Sequence, residues 1–99
     1  MLNINKVVGD QKALVILEGK LDTITSPELE EQLQEILPEI TELVLDFEKL
    51  NYISSAGLRV LLATQKVMNK QGAMKVINVG KTIQDIFEVT GFSEILTIE

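Results

Sequence analysis

Two apolar periods alternate along this chain, and that alternation restricts its fold more than any other feature. Short β-prone runs occur at Ala13-Leu14-Val15-Ile16-Leu17, Leu43-Val44-Leu45-Asp46-Phe47 and Met74-Lys75-Val76-Ile77-Asn78. Between and after them lie segments in which apolar residues return every three or four positions: Leu29, Leu33, Ile36, Leu37 and Ile40; Leu58, Leu61, Leu62 and Met68; Ile83, Ile86 and Phe87. The first pattern buries a strand and the second buries one stripe of a helix. Ahead of them, Leu2, Ile4 and Val7 alternate with polar residues, and Gly9-Asp10 provides a turn, so the chain is expected to open with a hairpin. Ile95 to Ile98 reads as a last short strand. The expected order is ββαβαβαβ, an α/β fold with a mixed β-sheet and helices packed on it, all in a single domain over residues 1–99.

The boundaries carry chemical punctuation. In Thr25-Ser26-Pro27-Glu28, Ser26 suits the N-cap and Pro27 the first helical position, while Thr25 and Glu28 have the spacing of a capping box. Pro38 should end that helix. The run Leu43 to Phe47 is apolar enough to be expected as a central strand covered on both faces, followed by a turn through Glu48 to Tyr52. A second helix should begin near Ser55, with Lys70 in its last turn and Gly72 as its stop. A third should be capped by Thr82, with Asp85 three residues on, and should close at Gly91 with Phe92 packing back.

Composition removes several kinds of chemistry. The 99 residues include no cysteine and no histidine, so disulfides, thiolate nucleophiles and histidine-dependent general bases are absent. A formal charge of −6 opposes approach to nucleic acid or to an anionic membrane surface, which makes a protein the better partner. The longest pure apolar run, Ala13 to Leu17, is too short for membrane insertion, and the first residues alternate rather than forming a signal-peptide block. The expectation is a soluble, cytoplasmic protein that needs no cofactor and is not an enzyme.

Two arrangements imitate catalytic motifs. Val79-Gly80-Lys81-Thr82 stands between a strand and a helix, as in a phosphate-binding loop, but the glycine required five positions before Gly80 is replaced by Lys75. A tight turn explains it better. Ser54 and Ser55 sit where a nucleophile elbow would, without flanking glycines of the right spacing and without a histidine to take the proton. Asp22 and Asp46 are expected at strand ends, and nothing in their spacing favours acid–base work.

The serine turn itself remains. A serine opening an apolar helix ordinarily caps it. Here a serine pair is followed by Ala56-Gly57, small residues that leave the helix start open to another molecule. A phosphate on such a serine would add about −1.5 to −2 charges where the helix dipole tolerates them.

Leu45-Asp46-Phe47, the spacer through Tyr52-Ile53, and Ser54-Ser55-Ala56-Gly57-Leu58 resemble the signature of STAS domains, specifically of bacterial anti-sigma factor antagonists. Gly19-Lys20-Leu21-Asp22, Gly72 and Gly91 match as well, and the resemblance covers nearly the whole chain. It implies a partner-switching regulator. The unphosphorylated form would bind an anti-sigma factor that is itself a serine kinase, freeing the sigma factor. The kinase would phosphorylate the antagonist with ATP, and a metal-dependent serine/threonine phosphatase would reverse the mark. Carried over by position, Ser55 is the phosphoacceptor, with Ser54 as the alternative. The implied partner-facing surface is Asp22, Thr23, Ser54, Ser55, Ala56, Gly57 and Arg59. The chain departs from the family pattern at Ser54, where an aspartate is common, and at Arg59, where a glycine is common. The other reading compatible with the same fold is a stand-alone scaffold or regulatory subunit, for example of a lipid-transport ATPase.

Overall fold

Alternating burial along the strands sets the architecture. In the computed structural model, which describes residues 1–99, the elements run β1 (Leu2–Gly9), β2 (Lys12–Leu21), α1 (Ser26–Ile36), β3 (Glu42–Ile53), α2 (Ser55–Gln71), β4 (Ala73–Ile77) and α3 (Lys81–Thr90). Single 3-10 turns occupy Leu37–Glu39, which includes Pro38, and Phe92–Glu94. The strands lie in the order β1-β2-β3-β4. β1 and β2 are antiparallel, whereas β2/β3 and β3/β4 are parallel. Both parallel steps move across the sheet in the same direction, and right-handed crossovers then put α1 and α2 on the same face.

The burial pattern agrees with that one-sided arrangement. Ala13, Val15 and Leu17 of β2, Leu43, Leu45 and Phe47 of β3, and Met74 and Val76 of β4 share one apolar cluster with Leu29 and Leu33 of α1, Leu61 and Met68 of α2, and Ile83 and Phe87 of α3. The alternate residues Leu14, Ile16, Val44 and Ile77 are only half-buried. β3 is therefore covered on one face, not on both as its composition suggests. Phe47 and Phe87 meet near the centre with ring centroids 6.3 Å apart and planes tilted by 40°.

Other expectations are corrected by particular contacts. The hairpin turn falls on Asp10 and Gln11, both with positive φ (50° and 64°), rather than on Gly9, which pairs with Lys12. The segment Glu48 to Tyr52, expected as a turn, continues β3. Two register shifts against β2 insert extra residues into β3, so Phe47, Leu50 and Ile53 all reach the core at a spacing of three. A period of three does not look like a strand, which hides this half of it.

The expected last strand does not form. The amides of Ile95 and Leu96 both donate to the Phe92 carbonyl, leaving only the final residues to reach β4. They do so through an isolated parallel bridge between Val76 and Ile98. The sequence of elements is thus ββαβαβα. Neither Thr25 nor Ser26 makes a side-chain cap at α1, and α3 is capped by Gly80 rather than by Thr82. α3 closes at Gly91 with φ +82°, and Phe92 packs against the core as expected.

The pole opposite the carboxyl ends of the parallel strands is tied together tightly. The Thr41 amide donates to Gln11 O at 2.7 Å, the Ala73 amide donates to Thr41 O at 2.9 Å, and Gln71 Nε2 donates to the carbonyls of Leu37 and Ile40 at 2.6 and 2.8 Å. Gly72 lies against this knot so closely that a Cβ would overlap the Thr41 carbonyl. Gly72→Ala is therefore expected to lower stability by about 2 kcal/mol or more, a fall in melting temperature of roughly 10 °C for a domain of this size. Thermal unfolding followed by circular dichroism checks it; an unchanged midpoint would show that this contact relaxes freely.

Candidate functional site: the paired loops after β2 and β3

Parallel pairing carries the ends of β2 and β3 to the same edge, with Leu21 opposite Ile53. The chain leaves each strand through a loop that starts a helix. The two exits are joined directly, because the Ser54 amide donates to the Leu21 carbonyl at 2.9 Å. Asp22 and Ser54, 32 positions apart in the sequence, thereby follow two hydrogen-bonded strand ends.

The loop after β2 is held by its own first residue. Asp22 Oδ1 accepts from the amides of Ile24 and Thr25, each at 3.0 Å, and lies 3.1 Å from the Thr25 hydroxyl. This is an Asx turn continued by one residue. The Thr25 hydroxyl accepts from the Asp22 amide at 2.9 Å and also faces the Lys20 carbonyl at 2.9 Å, while the Ser26 amide and hydroxyl donate to the Asp22 carbonyl. Thr25 and Ser26 are buried in this network, which explains why neither hydroxyl is free to cap α1. Hydrogen bonding to the charged carboxylate, first from the Thr25 amide and then, each more weakly than the opposing desolvation, from the Thr25 hydroxyl and the Ile24 amide, holds Asp22 below its ordinary pKa.

The loop after β3 separates two adjacent serines. Ser54 has extended backbone (φ −100°, ψ 177°) and is the N-cap of α2; its Oγ accepts from the Gly57 amide at 3.5 Å, a long bond. Ser55 occupies the first helical position and is exposed. The cap and the free hydroxyl are different residues. Gly57 faces inward: a Cβ there would stand 2.8 Å from Leu21 Cγ and from Ile53 Cγ1, so its missing side chain lets the first turn of α2 rest on the two strand ends.

Of the residues singled out from the sequence, Asp22, Thr23, Ser54, Ser55 and Ala56 gather at this edge, with Arg59 one turn along α2 from Ser55. Thr23, Ala56 and Arg59 also line an open groove of about 480 Å³ between α1 and α2, together with Pro27, Glu30 and Lys66. Asp46 is elsewhere. It lies within β3, not at its end, and accepts from the Glu48 amide and from Asn78 Nδ2. Lys81 pairs with Asp85 at 3.2 Å across an exposed turn of α3, which leaves the Gly80-Lys81-Thr82 sequence as a helix start. No group of three or more acidic, cysteine or histidine side chains converges as metal ligands would, and no helix is long and apolar enough to cross a membrane.

Sequence reasoning missed Ile24, which is 87% exposed inside this otherwise polar loop. It also missed the α1–α2 groove. The only available signal was an isoleucine set between two threonines in Asp22-Thr23-Ile24-Thr25, outside either apolar period.

The sequence model of the STAS domain matches residues 3–99. The chain belongs to the STAS domain family. Among its curated relatives is the anti-sigma-B factor antagonist of Staphylococcus aureus, 30% identical over 99 residues that cover 98% of this chain and 92% of the relative. The anti-sigma-B factor antagonist of Bacillus subtilis is 26% identical over 98 residues, covering 98% and 90%. The STAS fold is shared with the crystal structure of an anti-sigma factor antagonist from Mycobacterium paratuberculosis, at a TM-score of 0.89 and 22% identity over 99% of this chain and 85% of that one. It is shared too with the Bacillus protein SpoIIAA in its phosphorylated form, at a TM-score of 0.76 and 17% identity over 100% and 91% of the two chains.

Because Asp22 is held below its ordinary pKa in the folded STAS domain, the unfolded chain takes up a proton more readily. The group therefore contributes stability above its ordinary titration range, and that contribution is lost as pH falls through the lowered value. Asp22→Asn keeps a side-chain acceptor but does not titrate, so its stability is expected to fall less steeply on acidification. Urea midpoints measured across the acid range test this; parallel curves for the two proteins would contradict it.

Proposed function

We propose that this STAS domain is an anti-sigma factor antagonist, switched off by phosphorylation of Ser55. The observation that carries the reading is the division of labour at the start of α2: Ser54 caps the helix, while Ser55 is exposed beside it. The names of the relatives support the antagonist role. The role is one of binding rather than catalysis.

In the unphosphorylated state the edge formed by the two loops seats on the anti-sigma factor and displaces the sigma factor. The anti-sigma factor then acts as a serine kinase. Ser55 Oγ attacks the γ-phosphorus of ATP held by the kinase, forming one O–P bond as the bond to ADP breaks. The hydroxyl proton passes to a base on the kinase. The phosphate arrives at a helix N-terminus, where the dipole accepts negative charge, so the STAS domain stays folded. Within the interface the same group meets desolvation and like-charge repulsion, which cost several kcal/mol where it is left unpaired and lower affinity by orders of magnitude. A serine/threonine phosphatase removes it and restores the binding form.

Incubation with the cognate anti-sigma factor and ATP is expected to add one phosphate, which mass spectrometry detects. Ser55→Ala should abolish the addition, whereas Ser54→Ala should preserve it at some cost in stability. Ser55→Asp should weaken binding by at least about 30-fold, roughly 2 kcal/mol. Modification that persists in Ser55→Ala would move the acceptor to Ser54. A Ser55→Asp protein that binds like the wild type would favour a scaffold or regulatory subunit that is indifferent to charge at this position.

A further inference from the structure

We propose that Ile24 is the apolar anchor by which this STAS domain seats on the anti-sigma factor, and that Asp22 is the positioning residue that holds it out; the inference rests on the antagonist reading. An exposed apolar side chain is unremarkable on its own. Ile24 differs in how it is held and in what surrounds it. It is 87% exposed, yet its amide is bound by Asp22 Oδ1, and the following residue is buried and hydrogen-bonded at both amide and hydroxyl. The loop is thus fixed around a side chain that itself makes no use of the fold. Its β-branch also restricts χ1. Much of the ordering cost that an interface imposes on an anchor is already met in the free protein.

The surroundings define the partner. Ile24 follows Thr23, which lines the groove between α1 and α2, and the exit of β2 is hydrogen-bonded to the turn that carries Ser55. Along the α2 wall of that groove stand Arg59 and Lys66, facing Glu30 of the α1 wall, and none of the three takes part in the three ion pairs of the structure. In a chain of net charge −6, a groove with two cations against one carboxylate, reached through Thr23 from the apolar projection at Ile24, calls for an acidic border around an apolar pocket. The occupant of this surface is therefore an anti-sigma factor that offers such a pocket to Ile24 and carboxylates to Arg59 and Lys66. The Asp22 carboxylate serves this surface through the turn that its Oδ1 makes.

Calorimetric titration of the cognate anti-sigma factor separates these assignments. Ile24→Ser should weaken binding about 30-fold or more, as loss of a central anchor does, while its melting curve stays that of the wild type. Val89→Ser removes an equally exposed apolar side chain from the last turn of α3 and should bind normally. Asp22→Ala should weaken binding about 10-fold, and Asp22→Asn, which retains the acceptor for the two amides, should restore it. Arg59→Ala should reduce the salt dependence of binding. In the wild-type complex the Ile24 methyl resonances should shift on saturation with partner. Wild-type affinity in Ile24→Ser, with binding still abolished by Ser55→Asp, would overturn the anchor and leave the antagonist reading standing. An Asp22→Asn protein as weak as Asp22→Ala would overturn the positioning role. A wild-type chain that binds no cognate anti-sigma factor would overturn both this inference and the reading on which it rests.

Discussion

The parallel pairing of β2 with β3 is the constraint from which the rest of the arrangement follows. It obliges the chain to cross back over the sheet through α1, and it brings the ends of both strands to one edge. Leu21 then accepts a hydrogen bond from Ser54, so residues far apart in sequence leave the sheet together. Antiparallel pairing would have sent one of these loops to the opposite pole. Repetition of the parallel step by β4 places α2 beside α1, and the groove between them opens directly onto the serine turn.

Within that frame the edge is built from short polar side chains acting on their own backbone. Asp22, Thr25 and Ser26 bind one another's amides and carbonyls, while Ser54 caps α2. Buried or half-buried polar groups have to be satisfied, and here they are satisfied locally, over spans of three to five residues. Local satisfaction stiffens the loops without drawing on the core. It also leaves the hydroxyls of Thr23 and Ser55, one isoleucine and two cations exposed.

Much of this was legible in the sequence, and the failures have physical causes. The helices and the first halves of the strands were visible because a single buried face imposes its period on every element. The second half of β3 was not, since two register shifts convert a period of two into a period of three at Phe47, Leu50 and Ile53. The final strand failed because Phe92 carries two amides of a 3-10 turn and leaves too little chain to pair. At the edge, the serine pair and Asp22 could be picked out by residue type. Which serine caps α2 depends on a backbone angle at Ser54, and the exposure of Ile24 depends on the turn made by Asp22. Pattern alone records neither.

The hydrogen-bonded knot around Thr41 lies at the opposite end of the molecule from the serine turn. Its consequence is evolutionary. Thr23, Ile24 and Arg59 stand outside the core cluster, so on the proposed reading substitutions there alter what the surface recognises with little loss of the fold's integrity. Duplicated copies of such a chain can diverge toward separate partners by drifting at one pole, while the other preserves the common framework.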